Sequence, residues 1–298
     1  ASNVPVMALL SAWFVQRRRG LAAGIGVTGS SLALILLGPL VPRVLGAYGE
    51  NGWRVCWFLF AAVTFGLAVL SWTILRNRPS DIGLQPSGAT EPAQPVLSAQ
   101  GGLHWGSVYG SGVVWHVGLI YVAFGFSYII YVTFFTKYLV AETHFTAAEA
   151  GRLFMTMGWV SLLCGLLWGW ASDHIGRKGA LISVYLIQTV AFGLFALWPS
   201  PSGLTLSAVL FGLTAWSIPA IVAALCGDLL GARLAPAGLG FVTLFFGIGQ
   251  ALGPSAAGAI ADAVGSLAPA MLLAAGVALL GAIASLLLGH RGAGTGRS

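Results

Sequence analysis

The sequence predicts an all-α polytopic membrane protein. Three observations carry that reading: 57% of the 298 residues are apolar and only 7% charged, the mean hydropathy is +0.89, and the apolar residues gather into runs of membrane-spanning length. A soluble domain carries about 25% charged residues, so the solvent for most of this surface must be lipid. Glycine supplies 42 residues, about twice its ordinary usage, in keeping with its frequency in membrane helices. The net charge of +6 does not signal nucleic acid, because the cations sit in short clusters between apolar runs, where they suit lipid headgroups.

A membrane helix needs about 20 mainly apolar residues. From the N-terminus, such segments fall at 1–15 (short), 20–45, 53–75, 113–140, 147–171, 179–198, 203–228, 236–260 and 267–289. The first begins at Ala1 with no charged leader and no small-residue cleavage site, and reads as the end of a helix whose start is missing. The second is long, and its Gly38-Pro39 pair predicts a kink that would absorb the excess. The seventh contains Pro219, which removes a helical hydrogen bond inside the span. Cys56, Cys164 and Cys226 lie within apolar runs at no metal-ligand spacing and read as small core residues.

One long polar connection, 76–112, holds Pro79, Pro86, Pro92 and Pro95 among Gly, Ser and Ala, lacks apolar periodicity, and reads as a linker. The expected organisation is residues 1–75 as the remainder of a first bundle, 76–112 as a cytoplasmic linker, 113–289 as a six-helix second bundle, and 290–298 as a cytoplasmic tail. Six spans follow the linker and three precede it, so equal halves would leave three N-terminal helices unaccounted for. A faint repeat agrees: at an offset of 215, Arg18 matches Arg233 and Gly38-Pro39 matches Gly253-Pro254. With the C-terminus inside, ten basic residues (Arg17, Arg18, Arg19, Arg76, Arg78, Arg177, Lys178, Arg233, Arg291, Arg297) face the cytoplasm and four (Arg43, Arg54, Lys137, Arg152) face away. That is the positive-inside bias.

The stretch Gly169-Trp170-Ala171-Ser172-Asp173-His174-Ile175-Gly176-Arg177-Lys178 joins two spans on the expected cytoplasmic side. Gly169 is small enough for close helix approach, and Gly176 suits a turn with positive φ. Arg177 and Lys178 open a helix at its positive end, which requires an acidic partner or headgroup contact. Asp173 is near, and it could also accept from the free N–H groups of a helix beginning at Pro236. An ordinary basic turn fits the same residues.

The pattern G-x-x-x-D-x-x-G-R-K, carried by Gly169, Asp173, Gly176, Arg177 and Lys178, resembles the signature loop of the major facilitator superfamily in its second-half copy. Trp13-Phe14 with Arg18-Arg19-Gly20-Leu21-Ala22 is similar to that superfamily's turn between helices 4 and 5, and Gly247-x-Gly249-Gln250-x-x-Gly253-Pro254 is similar to its helix 11. Bacterial monocarboxylate-like, oxalate/formate-like and sugar-efflux-like branches all fit. The resemblance implies two helical bundles around a central cavity that opens alternately to either side, with three helices of the first bundle and all six of the second present here. It also implies a multi-pass protein of a bacterial inner membrane that moves a small solute, with the signature loop latching the cytoplasmic side. Helices 4, 7 and 10 would line the cavity.

On span 113–140, Tyr121, Tyr128, Tyr131 and Phe135 recur at spacings of seven, three and four, which places them along one helical stripe. Their rings and hydroxyls suit a small organic solute; helix packing suits them equally. Trp216 precedes Pro219, and Asn3, Gln188 and Gln250 are amides within apolar runs that need partners. The candidate cavity set is therefore Tyr121, Tyr128, Tyr131, Trp216, Asn3 and Gln250. All eight acids fall near span ends or in loops, so a coupling proton or other ion finds no midplane carboxylate. No cofactor is expected, and no His/Cys/Asp cluster supports a metal centre or an intramembrane enzyme. A truncated, inactive fragment is the competing expectation.

Overall fold

The computed structural model describes residues 6, 9–10, 12–14, 16–85, 87 and 106–289. Its described helices longer than four residues are α1 (Gln16–Tyr48), α2 (Gly52–Ile74), α3 (Gly112–Glu142), α4 (Ala147–Ser161), α5 (Cys164–His174), α6 (Gly176–Leu197), α7 (Pro201–Thr214), α8 (Ser217–Val264) and α9 (Ala268–Leu286). Among these residues, six helical runs are long and apolar enough to cross a bilayer, and the bent pair α4–α5 makes a seventh. The first run, Thr28–Ile74, takes in both α1 and α2, so eight of the nine expected segments are helical. Segment 1–15 lies largely outside the described residues. The protein is a multi-pass helical membrane protein.

Local signals set the helix ends. Thr146 and Glu149 form a capping box at α4, with the Glu149 N–H donating to Thr146 Oγ1 at 3.2 Å and the Thr146 N–H to Glu149 Oε2 at 2.9 Å. Ser200 caps α7 with Pro201 in its first turn. Gly265, at φ +75°, ends α8 in the left-handed conformation. Glu142, closing α3, accepts from the Leu267 N–H and the Ser266 hydroxyl, both at 2.7 Å. A carboxylate is thereby set at the start of α9, where the helix dipole favours it.

Two spans are broken. α4 and α5 meet at a 41° bend across Leu162–Leu163. The span 203–228 resolves into α7 and the first limb of α8, with the break at Ala215–Trp216. The expected break between spans seven and eight falls at Gly231, whose φ of +71° and ψ of 169° interrupt α8. Pro236 therefore lies one turn beyond that break rather than in the opening turn.

α1 and α2 run antiparallel. They meet at the turn Gly49–Asn51, and at their far ends Trp13 Nε1 donates to the Arg76 carbonyl at 2.8 Å. Nearly all of α2 is exposed, with only Gly52 and Cys56 buried; for a chain in lipid this is ordinary hydrocarbon contact. The core lies instead among α3 to α9, where Tyr131, Tyr185, Phe124, Phe135, Phe192, Phe195 and Phe211 are fully buried.

Apolar side chains gain little by leaving lipid for one another, so close packing through small residues holds membrane helices together. Both halves of the repeat noted in the sequence obey this rule. On α1, a Cβ at Gly38 would strike the Gly151 carbonyl and come 2.9 Å from Met155 Cβ on α4. On α8, a Cβ at Gly253 would come within 2.7 Å of the Phe126 carbonyl on α3. Each Gly-Pro pair thus marks the point where its helix crosses another at backbone distance.

Candidate functional site

α3 and the second limb of α8 cross at Gly125 and Gly249, and their closeness builds an aromatic stack. Tyr121 lies 4.8 Å from Phe246, Phe124 lies 4.8 Å from Tyr128, and Phe246 lies 5.8 Å from Tyr128, all near-parallel. Beside the stack, Gln250 Nε2 donates to the Tyr128 hydroxyl at 2.7 Å. Trp216, just past the α7–α8 break, meets Tyr128 edge-on at 6.5 Å and 71°. Tyr128, Trp216 and Gln250 are half-buried, whereas Tyr121 is buried. Accepting from Gln250 leaves the Tyr128 O–H free to donate elsewhere, and the Gln250 carbonyl remains an acceptor. Three half-buried polar groups on three helical segments, backed by flat rings, suit a small solute with both polar and apolar parts.

Tyr131 does not join them. It is fully buried among Phe135, Phe192, Phe195 and Phe211, and its hydroxyl pairs with Ser207 Oγ at 2.8 Å, which in turn donates to the Ala191 carbonyl at 2.7 Å. Three residues on from Tyr128 carry it about 60° around the helix, enough to turn it into the bundle interior. Its role is packing between α3, α6 and α7. Asn3 lies outside the described residues. Gln188 is buried on α6, with Nε2 3.4 Å from the Thr214 carbonyl.

At the end of the molecule where α5 meets α6, charge organises the loop. Gly176 takes φ +78° and opens α6. Arg177 is held by Asp173 Oδ1 at 2.7 Å, Ser172 Oγ at 2.6 Å and Asp228 Oδ2 at 3.2 Å, the last from α8. Lys178 donates to the Leu288 carbonyl at 3.0 Å, just past the end of α9, a favourable place for a cation. The unfavourable start of α6 is thus offset by two carboxylates. Exposed ion pairs contribute about 0–1 kcal/mol each; here their effect is to tie three helices at one face. Asp173 turns to Arg177 and makes no bond to the turn around Pro236 among the described residues. Gly169 is exposed, and among the described residues nothing lies within 4 Å of where a Cβ would stand, so none of them approaches it closely in this arrangement.

A cavity of about 790 Å³ opens at the same end, lined by Gly110, Gly112, His116, Leu230, Leu234 and Leu288 among others. His116 Nε2 lies 2.9 Å from the Ala284 carbonyl. The cavity is separate from the aromatic stack and carries one imidazole on an otherwise glycine- and leucine-rich wall.

Residues 8–286 match the family model described as "Uncharacterised MFS-type transporter YbfB". The chain belongs to that family. It is 25% identical over 291 residues to monocarboxylate transporter 13 of Bos taurus, covering 96% of this chain and 63% of the relative. To a putative tartrate transporter of Agrobacterium vitis it is 23% identical, covering 95% and 67%. The chain therefore spans about two thirds or less of the length of these relatives. In fold it is similar to the E. coli fucose:proton symporter FucP (TM-score 0.59, 16% identity, 97% of this chain and 73% of that one). It is similar also to a bacterial homolog of the human lysosomal transporter Spinster in an inward-facing, unoccupied conformation (TM-score 0.60, 15% identity, 95% and 71%). An MFS-type helical fold is thereby established, and the family is one of transporters rather than enzymes.

In this MFS-type chain, the sequence reading passed over Phe246 and the partnership of Asp228. Phe246 precedes Gln250 by four residues, which puts both on one face of α8; that spacing could have found it. Asp228 is an acid at a span end, and nothing in the sequence indicates that its partner is Arg177, 51 residues away.

Proposed function

We propose that this MFS-type protein carries a small organic acid across a cell membrane by alternating access of the site built from Tyr128, Gln250 and Trp216. The observation that carries the reading is the Gln250–Tyr128 hydrogen bond at 2.7 Å, with Trp216 in T-shaped contact with the Tyr128 ring, in a membrane-embedded and otherwise apolar setting. Buried polar groups cost free energy unless paired, and a solute with acceptor oxygens supplies the partner. The two relatives are named for monocarboxylates and tartrate, which makes organic acids the class these donors meet.

Each described acid lies near a helix end or in a turn, and no described basic residue stands at mid-span. A bare carboxylate crossing such a site would lose its hydration with no counter-charge. A proton taken up with a monocarboxylate would remove that charge, and proton cotransport is part of this proposal. Residues 1–75 and 113–289 act as the two bundles, joined by a cytoplasmic linker at 76–112, and the Asp173–Arg177–Asp228 cluster latches the cytoplasmic face. The positive-inside bias sets the C-terminus in the cytosol.

In reconstituted vesicles, Tyr128→Phe and Gln250→Leu should each raise the KM for radiolabelled pyruvate or tartrate about fivefold, the equivalent of one hydrogen bond of about 1 kcal/mol. Unchanged KM in both variants would remove this site from the transport path.

A further inference from the structure

The break at Ala215–Trp216 is held open by side chains from two other helices. A helix end leaves its last four carbonyls without intrahelical donors. At the end of α7, the Gly212 carbonyl accepts from the Ala215 N–H at 3.4 Å. The next two are served from outside: Trp168 Nε1, on α5, donates to Leu213 O at 2.8 Å, and Gln188 Nε2, on α6, reaches Thr214 O at 3.4 Å. Pro219 sits in the first turn of the following limb, where its missing N–H is tolerated and leaves the Ala215 carbonyl without its helical donor. The break is thus written into the sequence by Pro219 and capped from neighbouring helices by Trp168 and Gln188.

Trp216 is the residue this arrangement presents. It meets Tyr128 in a T-shaped ring contact, while among the described residues its Nε1 is buried with no hydrogen-bond partner, as is Gln188 Oε1. A buried indole N–H ordinarily finds an acceptor. The capping residue Trp168 also lies seven residues after Ser161, whose hydroxyl donates to the Gly158 carbonyl of its own helix at 2.8 Å and lies 2.7 Å from Ser31 Oγ on α1. The 41° bend between α4 and α5 falls between those two residues. Ser161 thus ties α4 to α1 just before the bend, and Trp168 ties α5 to the end of α7 just after it.

We propose that Trp168 and Gln188 are positioning residues for the substrate: they cap the carbonyls freed at the break before Trp216 and so aim its indole N–H at an acceptor oxygen of the transported acid. This rests on the transport reading above. Trp168 acts through Trp216, and its contribution disappears when Trp216 can no longer donate.

The test is a double-mutant cycle in reconstituted vesicles with pyruvate and tartrate as probes. Trp168→Phe and Trp216→Phe should each raise KM about fivefold with kcat within about twofold, and the double variant should match Trp216→Phe alone, since residues acting as a unit are not additive. Fully multiplicative KM effects would overturn the proposal. A second measurement does not depend on transport. Cys164 is 1% exposed and sits against Trp216 and Ser217, so with Cys56 and Cys226 replaced by alanine it reports on the break. Trp168→Phe and Gln188→Leu should each speed its labelling by N-ethylmaleimide several-fold. Unchanged labelling in both would overturn the capping role even if no acid is taken up, whereas faster labelling without uptake would sink only the substrate reading.

Discussion

Gly249→Leu should unfold the contact between α3 and α8 and abolish transport. A Cβ at this position would strike the Val122 carbonyl and come 2.7 Å from Phe126 N, both backbone atoms of α3. Backbone cannot rotate aside as a side chain can, so the helices must part. Overpacking of this kind costs about 1–3 kcal/mol, and for a chain of this size about 2–4 °C in midpoint per kcal/mol. The detergent-solubilised variant should therefore melt about 2–12 °C below the parent. Parting the helices also separates Gln250 from Tyr128, so loss of uptake should accompany loss of stability. A variant that melts and transports like the parent would show that the crossing is looser than described. The same logic extends to Gly125, where a Cβ would meet the Phe246 carbonyl.

Gly151→Leu should separate stability from transport. Here the clash is with the Gly38 carbonyl and, at 2.9 Å, with Pro42 Cγ on α1. α1 precedes the linker and α4 follows it, so this seam lies between the two expected bundles rather than inside one. Alternating access requires the bundles to rock against each other, and a leucine wedged in the seam would bar the arrangement in which α1 and α4 touch. We expect uptake to fall by tenfold or more while the melting midpoint drops less than in Gly249→Leu. Equal thermal losses in the two variants would mean that the seam is part of one continuous core.

The helices were legible because lipid imposes a simple rule: backbone groups must be satisfied within the helix, and the run must be apolar and long enough. Segment 113–140 against Gly112–Glu142, and 179–198 against Gly176–Leu197, agree within a turn. The break at Ala215–Trp216 was foreshadowed by Pro219. The bend at Leu162–Leu163 was not, because no proline or glycine stands at those two positions; Ser161 stands close to its own helix at the Gly158 carbonyl, a contact type that bends helices. At the site, Tyr121 and Tyr128 share a face because seven residues make nearly two turns, while three further residues swing Tyr131 behind it. Partners distant in sequence, such as Arg177 with Asp228 and Trp168 with Leu213, depend on how helices pack, and periodicity carries no information about that.

The most direct test of the account is counterflow. Vesicles containing the protein and preloaded with unlabelled tartrate or pyruvate should take up the labelled acid faster than unloaded vesicles, saturably, and faster still when the outside is acidified. Uptake that stays linear with concentration and indifferent to internal substrate would contradict a carrier that exposes one site to each side in turn.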